Sequence, residues 1–181
     1  MEPSVHDFTI RRLDAAAARA AQHRLAVIFQ DAVEHGASVG YLAPLTTADA
    51  LDYWAAVIAG VAAMQRVLLV AEVAGEIAGT VQLVLEMRPN GDHRAEVSKL
   101  LVHTAYRRRG IAAALMQRVE AEAIAAGRTL LVLDTQTGEP AEQLYAQLGY
   151  VRTGVVPGYA RFPDGRLGAT TFMHKLLEPA A

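Results

Sequence analysis

Ala105-Tyr106-Arg107-Arg108-Arg109-Gly110-Ile111-Ala112-Ala113-Ala114-Leu115 is a basic, glycine-bearing turn. It lies between an apolar, strand-like run (Ala95–Val102) and a run with helical spacing at Leu115, Val119, Glu122 and Ile124. The first turn of a helix leaves backbone N–H groups without partners and carries the positive end of the helix dipole, so an anion there is both hydrogen-bonded and electrostatically stabilised. Gly110 has no Cβ to collide with a phosphate oxygen, Ala112 is the next smallest choice, and Arg107, Arg108 and Arg109 supply forked cationic donors. The turn predicts a pyrophosphate site. The plainer alternative is a solvated basic loop ahead of an ordinary helix.

Strand, turn, helix ending near Gly127, and the apolar run Leu130–Leu133 together predict a right-handed parallel crossover. The unbroken run predicts a strand covered on both faces. Upstream, Phe8–Leu13 reads as a strand. One alanine-rich helical stretch follows from Asp14, read as its N-cap, to His35, with Gly36 as its stop. A second helix starts near Thr46 or Thr47 and turns Leu51, Trp54, Val57, Ile58 and Val61 toward a core, with Trp54 read as packing. Val67–Val73 and Ile77–Met87 flank the tight Ala74-Gly75-Glu76 turn and join Ala95–Val102, past Arg88-Pro89-Asn90-Gly91-Asp92, in an antiparallel meander. Downstream, Pro140 opens a helix through Leu148, and Tyr150–Leu177 reads as two strands joined at Pro163-Asp164-Gly165. The order β-α-α-β-β-β-α-β-α-β-β gives one mixed α/β sheet with helices on both faces, its ligand site beyond the carboxyl end of Ala95–Val102.

With 181 residues, 52% of them hydrophobic and 20% charged, residues 1–181 are read as a single domain around one sizeable core. A formal net charge of −2 argues against a nucleic-acid partner and leaves the arginines aimed at one small anionic ligand. The chain has no cysteine, so thiolate nucleophiles, disulfides and cysteine-based zinc sites are excluded and a reducing compartment fits. Glu2, His6 and Asp7 do not make a signal peptide, and no apolar run spans a bilayer, so the expected setting is cytoplasmic, without a membrane partner. The histidines at positions 6, 23, 35, 93, 103 and 174 show no metal-ligand spacing, and no metal is expected.

The run Glu96-Val97-Ser98-Lys99-Leu100-Leu101-Val102-His103-Thr104-Ala105-Tyr106-Arg107-Arg108-Arg109-Gly110-Ile111-Ala112 resembles the acetyl-CoA motif of the GNAT superfamily of N-acetyltransferases, Gln/Arg-x-x-Gly-x-Gly/Ala. Arg107, Gly110 and Ala112 fall on its defined positions. Ala141-Glu142-Gln143-Leu144-Tyr145-Ala146-Gln147-Leu148-Gly149-Tyr150 resembles the family's closing helix, and the element order follows the family's throughout. Further segments, His35–Tyr41, Pro89–Gly91, Arg94–Val97, Leu133–Thr135, Pro157–Tyr159 and Pro163–Leu167, resemble a branch of the family that acetylates a β-lactam amino acid.

The resemblance implies a mostly antiparallel mixed sheet with one splayed parallel pair. Acetyl-CoA would lie in the splay, its pantetheine arm on backbone groups of Leu100, Leu101 and Val102 and its pyrophosphate on amides from Arg108 through Arg109, Gly110, Ile111 and Ala112 to Ala113. The chain departs from the family at Thr104, where proline is common, and at Gly138, where many members place a CoA-contacting asparagine. Direct transfer to an amine needs a base, oxyanion donors and an acid for the departing thiolate. Glu96 matches a position used as base in part of the family, Asp134 is a second carboxylate at the end of the neighbouring strand, and Tyr145 is the candidate acid. The competing readings are a surface pair of Glu96 with Arg94 or Lys99, a turn role for Asp134 and core packing for Tyr145. Glu96 precedes Leu100 by four residues, roughly 13 Å of strand, so proton removal is expected to pass through water.

Strict alternation puts Lys99 with Val97 and Leu101, which a bulge would relieve. Ser38, Tyr41 and Tyr159 are the loop candidates for the acceptor. The expected activity is acetyl transfer to the primary amine of a small molecule, an amino acid or β-lactam-type antimetabolite, with a homodimer implied by the family. A protein or peptide acetyltransferase and a non-catalytic acyl-CoA-binding regulator are the alternatives.

Overall fold

The computed structural model describes residues 7–178; Glu2 and His6 of the N-terminal reading lie outside them. The elements are β1 (Thr9–Leu13), α1 (Ala15–Ala20), α2 (Gln22–Glu34), α3 (Thr47–Ala62), β2 (Arg66–Val73), β3 (Glu76–Leu85), β4 (Arg94–Val102), α4 (Ile111–Ala125), β5 (Leu130–Gln136), α5 (Pro140–Gln147), β6 (Val151–Arg161) and β7 (Leu167–Leu176). The strands form one sheet in the order β1-β2-β3-β4-β5-β7-β6, antiparallel throughout except for the parallel β4–β5 pair. This is the mixed α/β architecture expected from the sequence. No helix among the described residues is long and apolar enough to cross a membrane.

Alternation along the central strands divides the apolar residues between two cores. Leu68 and Val70 of β2 face α1, α2 and α3, where Leu25, Phe29 and Trp54 are buried. Val67, Leu69 and Ala71 face the other way, onto Leu115, Met116 and Val119 of α4 and Tyr145 of α5. Asp14 caps α1 as read, accepting from the Ala17 N–H at 2.7 Å, and Thr46 caps α3 by accepting from the Asp49 N–H at 3.1 Å.

Three expectations need correction. The stretch from Asp14 to His35 is two helices, broken at Ala21. Neither glycine nor proline causes the break; it lets both segments press against α3, with Gln22 Nε2 donating to the Leu51 carbonyl at 2.8 Å. β3 stops at Leu85 because the Glu86 carboxylate accepts from the N–H groups of Met87 and Arg88, turning the chain. β5 runs to Gln136 and buries only one face: Leu131 and Leu133 lie in the α4 core, whereas Leu130 and Val132 are half-buried and Asp134 is exposed.

That face is half-open because the core under α1, α2 and α3 takes residues from β1 to β4 and none from β5. Although β4 has nine residues and β5 seven, they pair only at Arg94↔Leu130, Ala95↔Leu131 and Glu96↔Val132, and then separate. In the same stretch β4 bulges against β3: Thr80 pairs with Leu101 and Gln82 with Ser98, so Lys99 and Leu100 together oppose Val81. Lys99 takes φ +53, the left-handed region that non-glycine residues rarely occupy. Beyond the bulge the chain packs closely, since a Cβ on Gly79 would lie 2.8 Å from the Leu101 carbonyl oxygen and 3.3 Å from Ile111 Cγ2.

Candidate active site

The gap between β4 and β5 opens at Glu96 and widens toward the basic turn. After β4 a short 3₁₀ turn, Thr104–Tyr106, leads into Arg107, whose Nε donates to the Val102 carbonyl at 3.1 Å. α4 begins at Ile111 with Gly110 as its N-cap, at φ +81, and no side chain caps it. Glycine is required there by its backbone conformation, because a Cβ would meet open space. The leading amides of α4 are therefore presented without a side-chain acceptor, at the positive end of a 15-residue helix. A pocket of about 190 Å³ lies at this corner, lined by Val102, Arg108, Gly110, Ala112, Ala113 and Leu144 among others. A wider hollow of about 460 Å³ beside Arg12 and Asp14 lies away from the gap and holds none of the candidate residues.

The three arginines do different things. Arg109 pairs with Asp7 and stands over the Tyr106 ring, 5.7 Å from its centroid, while Arg107 braces its own turn. Arg108 is exposed, at φ +62, and makes no side-chain hydrogen bond among the described residues. Arg108 is thus the arginine left available to an anion.

On the sheet face toward α3 the register lines up two rows. Arg66, Val84, Glu96, Val132 and His174 form one; Leu68, Gln82 and Ser98, then across the gap Asp134 and Phe172, form the next. The bulge moves Lys99 out of strict alternation, into the field of Glu96, Asp134 and Arg66. Burial against this wall, reinforced by Asp134, raises the Glu96 pKa above the ordinary carboxylate value even though its side chain keeps solvent contact; Lys99 and Arg66 oppose the shift. Burial likewise lowers the Lys99 pKa, against the pull of Asp134 and Glu96. The surface pairing considered for Glu96 does not form: Arg94 bonds Glu86 at 2.9 Å instead. No ion pair or side-chain hydrogen bond among the described residues uses Glu96, Lys99 or Asp134, although ion pairs are plentiful elsewhere.

Tyr145 is buried among the α4-side apolar residues, 5.9 Å from the Tyr150 ring, and burial with the nearby Asp134 charge pushes its phenol up to about 12. Tyr159 lies on β6 with its ring 5.3 Å from Phe172, the register partner of Asp134, which brings it to the same face. Tyr41 stacks edge-on against Phe29 at 5.1 Å and Tyr53 at 5.9 Å. Ser38 is exposed in the loop between α2 and α3 and forms no side-chain bond among the described residues. Gly138 takes φ +85 and donates its N–H to Glu142 at 2.7 Å, a turn-forming role that leaves no side chain for a CoA contact. Among the described residues no group of three or more His, Asp or Glu is placed to hold a metal ion.

Several wall residues escape a reading of loops alone. Tyr53 accepts a 2.8 Å bond from Gln82 Nε2, whose Oε1 accepts from Arg66 at 2.7 Å, and burial raises the Tyr53 phenol to about 12. The available signal was Thr80 and Gln82, two polar residues at strand period inside an apolar strand. Both are fully buried.

An uncapped, arginine-flanked helix start thus stands at one end of the strand gap, and carboxylates without an ion pair among the described residues stand at the other. Residues 41–150 match the model of the acetyltransferase (GNAT) family. The chain belongs to that family and is an acetyl-CoA-dependent N-acetyltransferase. It is 34% identical over 140 residues to an uncharacterized N-acetyltransferase of the hisH-hisA intergenic region of Azospirillum brasilense, over 75% of this chain and 81% of that one. The structure of yncA from Salmonella typhimurium, solved with its cofactor acetyl-CoA, is similar with a TM-score of 0.76 and 25% identity, over 96% of each chain. An N-acetyltransferase from Staphylococcus aureus Mu50 shares the fold with a TM-score of 0.79 at 20% identity, over 94% of this chain and 99% of that one.

Proposed function

We propose that this enzyme, acting as a single domain, acetylates the primary amine of a small molecule by direct attack in a ternary complex. The observation that carries the reading is one line of structure: the strand gap runs from the uncapped α4 N-terminus to Glu96, where β4 and β5 last pair. The residues fit acetyl-CoA by their chemistry. Uncapped amides from Arg108 to Ala113 and the free Arg108 guanidinium suit the pyrophosphate, and the unpaired edges at Leu100, Leu101 and Val102 suit the amide-bearing arm. Bound there, acetyl-CoA supplies an activated acetyl thioester. Glu96, with its raised pKa, takes the proton of the acceptor ammonium through water, and Asp134 adds negative charge that draws the amine in. Tyr145, still protonated at neutral pH, is the acid that returns a proton to the leaving sulfur.

The acceptor we infer is an amino acid or β-lactam-type antimetabolite, held among Ser38, Tyr41 and Tyr159. The quartet of two carboxylates and two cations, Glu96, Asp134, Lys99 and Arg66, supports a zwitterion over a simple polyamine. So do the segments resembling the tabtoxin resistance protein, to which Pro163–Leu167 also belongs; acetylation of such a compound would be an antibiotic-resistance activity, carried out in the cytoplasm. A homodimer is part of the proposal. It rests on edge strand β6, whose Val151, Val155, Val156 and Tyr159 are exposed beside Leu167 and Leu176. Sedimentation equilibrium is expected to give about twice the 19.4 kDa chain mass; a monomer at micromolar concentration refutes that part.

Thiol release from acetyl-CoA against amino acids, β-lactam analogues, polyamines, aminoglycosides and lysine peptides tests the central reading. Turnover with amino acids or β-lactam analogues is expected. Turnover confined to lysine peptides assigns the acceptor to proteins, and silence across the panel with acetyl-CoA bound points to an acceptor outside the panel or to an acyl-CoA-binding regulator.

A further inference from the structure

The Asp31 side chain, 11% exposed, projects from the last turn of α2 into the start of the basic turn. Its Oδ2 accepts from the Thr104 backbone N–H at 2.9 Å and its Oδ1 from the Thr104 hydroxyl at 2.7 Å. His35 Nδ1 and His103 Nε2 stand 3.5 and 3.8 Å from Oδ1. Burial alone would raise this carboxyl; the two Thr104 bonds, aided by the histidines, outweigh it and hold the group below its ordinary value. The bonds of the turn between Thr104 and Arg107 are otherwise short-range: Tyr106 N–H to His103 O, Arg107 N–H to Thr104 O, Ala105 N–H to His103 Nδ1, Arg107 Nε to Val102 O. Among the described residues, Asp31 makes the hydrogen bonds that reach Thr104–Arg107 from a distant part of the chain, 73 residues away in sequence, as Asp7 reaches Arg109 further along.

We propose that Asp31 is a positioning residue for acetyl-CoA: by gripping Thr104 at both its N–H and its hydroxyl, it fixes the turn that aims Arg108 and the α4 amides at the pyrophosphate. The inference rests on reading that turn as the pyrophosphate site. It also accounts for threonine at 104, since a proline there could supply neither bond. The helix that carries Asp31 continues into the loop bearing Tyr41, so one carboxylate joins the cofactor turn to the acceptor wall.

Calorimetric titration of the full chain with acetyl-CoA and with S-acetylpantetheine, which lacks the pyrophosphate, separates positioning from general stability. D31A and T104P are expected to weaken acetyl-CoA binding on the order of tenfold while changing S-acetylpantetheine binding less than twofold. T104S, which keeps both donors, should bind as the parent does, and T104V in a D31A background should add nothing. Equal losses for both ligands, or D31A binding acetyl-CoA within twofold of the parent, overturns the inference and leaves the transferase reading standing. A parent chain that binds no acetyl-CoA overturns both. If D31A does not fold, D31N and T104V, which keep part of the grip, carry the same two-ligand comparison.

Discussion

Glu96→Gln is expected to lower kcat/KM by about two to four orders of magnitude, the usual contribution of a positioned base, with little change in acetyl-CoA affinity. The pH profile fixes the sign. A base works unprotonated, and burial and Asp134 raise the Glu96 pKa, so parent activity should climb with pH through a limb above the ordinary carboxylate range; the variant should lack that limb. Stability runs the other way. A carboxyl whose pKa is raised on folding contributes stability below its unfolded pKa and loses it as pH rises through the folded value. Glutamine never ionises, so the variant's thermal midpoint should equal or exceed the parent's at pH 8 and lose that advantage near pH 4. Full activity of Glu96→Gln, or an unchanged limb, removes Glu96 as the base.

Trp54→Ala should have the largest effect on stability. Trp54 is fully buried, its ring 5.3 Å from Tyr53 and 6.4 Å from Phe29, and truncation of such a side chain costs about 3–5 kcal/mol. For a chain of this size that is a fall in Tm on the order of 10 °C. Because Tyr53 holds Gln82 and, through it, Arg66, the acceptor KM should rise more than the acetyl-CoA KM. The Trp54 indole N–H has no partner among the described residues, so Trp54→Phe, which removes that unsatisfied group, should lose much less. A drop below 1 kcal/mol in Trp54→Ala would show that the site collapses around the loss.

Local chemistry made most of the fold legible. The caps at Asp14 and Thr46, the glycine-bearing turns and the switch of period around Gly110 are set by residues within one turn of each other. What escaped depended on distant partners. The break at Ala21 follows from packing on α3, and the reach of β5 to Gln136 from pairing with β7, where Thr135 meets Thr171. The apolar letters of Leu130–Leu133 suggest two covered faces; the core under α1, α2 and α3 ends at β4 and leaves one open. The same divide holds at the site. The basic, glycine-bearing turn and the helix start after it are contiguous and legible together, and the bulge at Lys99 shows in the sequence as a charge out of alternation. Arg109, by contrast, is taken up by Asp7, and the Tyr53–Gln82–Arg66 chain joins three elements that only the folded sheet brings together.

Where β4 leaves β5, two strand edges with unmet hydrogen-bonding groups face each other inside the molecule. The same groups along an outer strand would invite another chain to add itself, and proteins usually blunt such borders with charge, proline or bulges. The slot lies inside the sheet, with β3 beyond one wall and β7 beyond the other, so neither of its edges is an outer border of the molecule. The sheet is thus left unfinished without the hazard of an open border, and on the function proposed above the arm of acetyl-CoA would complete its secondary structure.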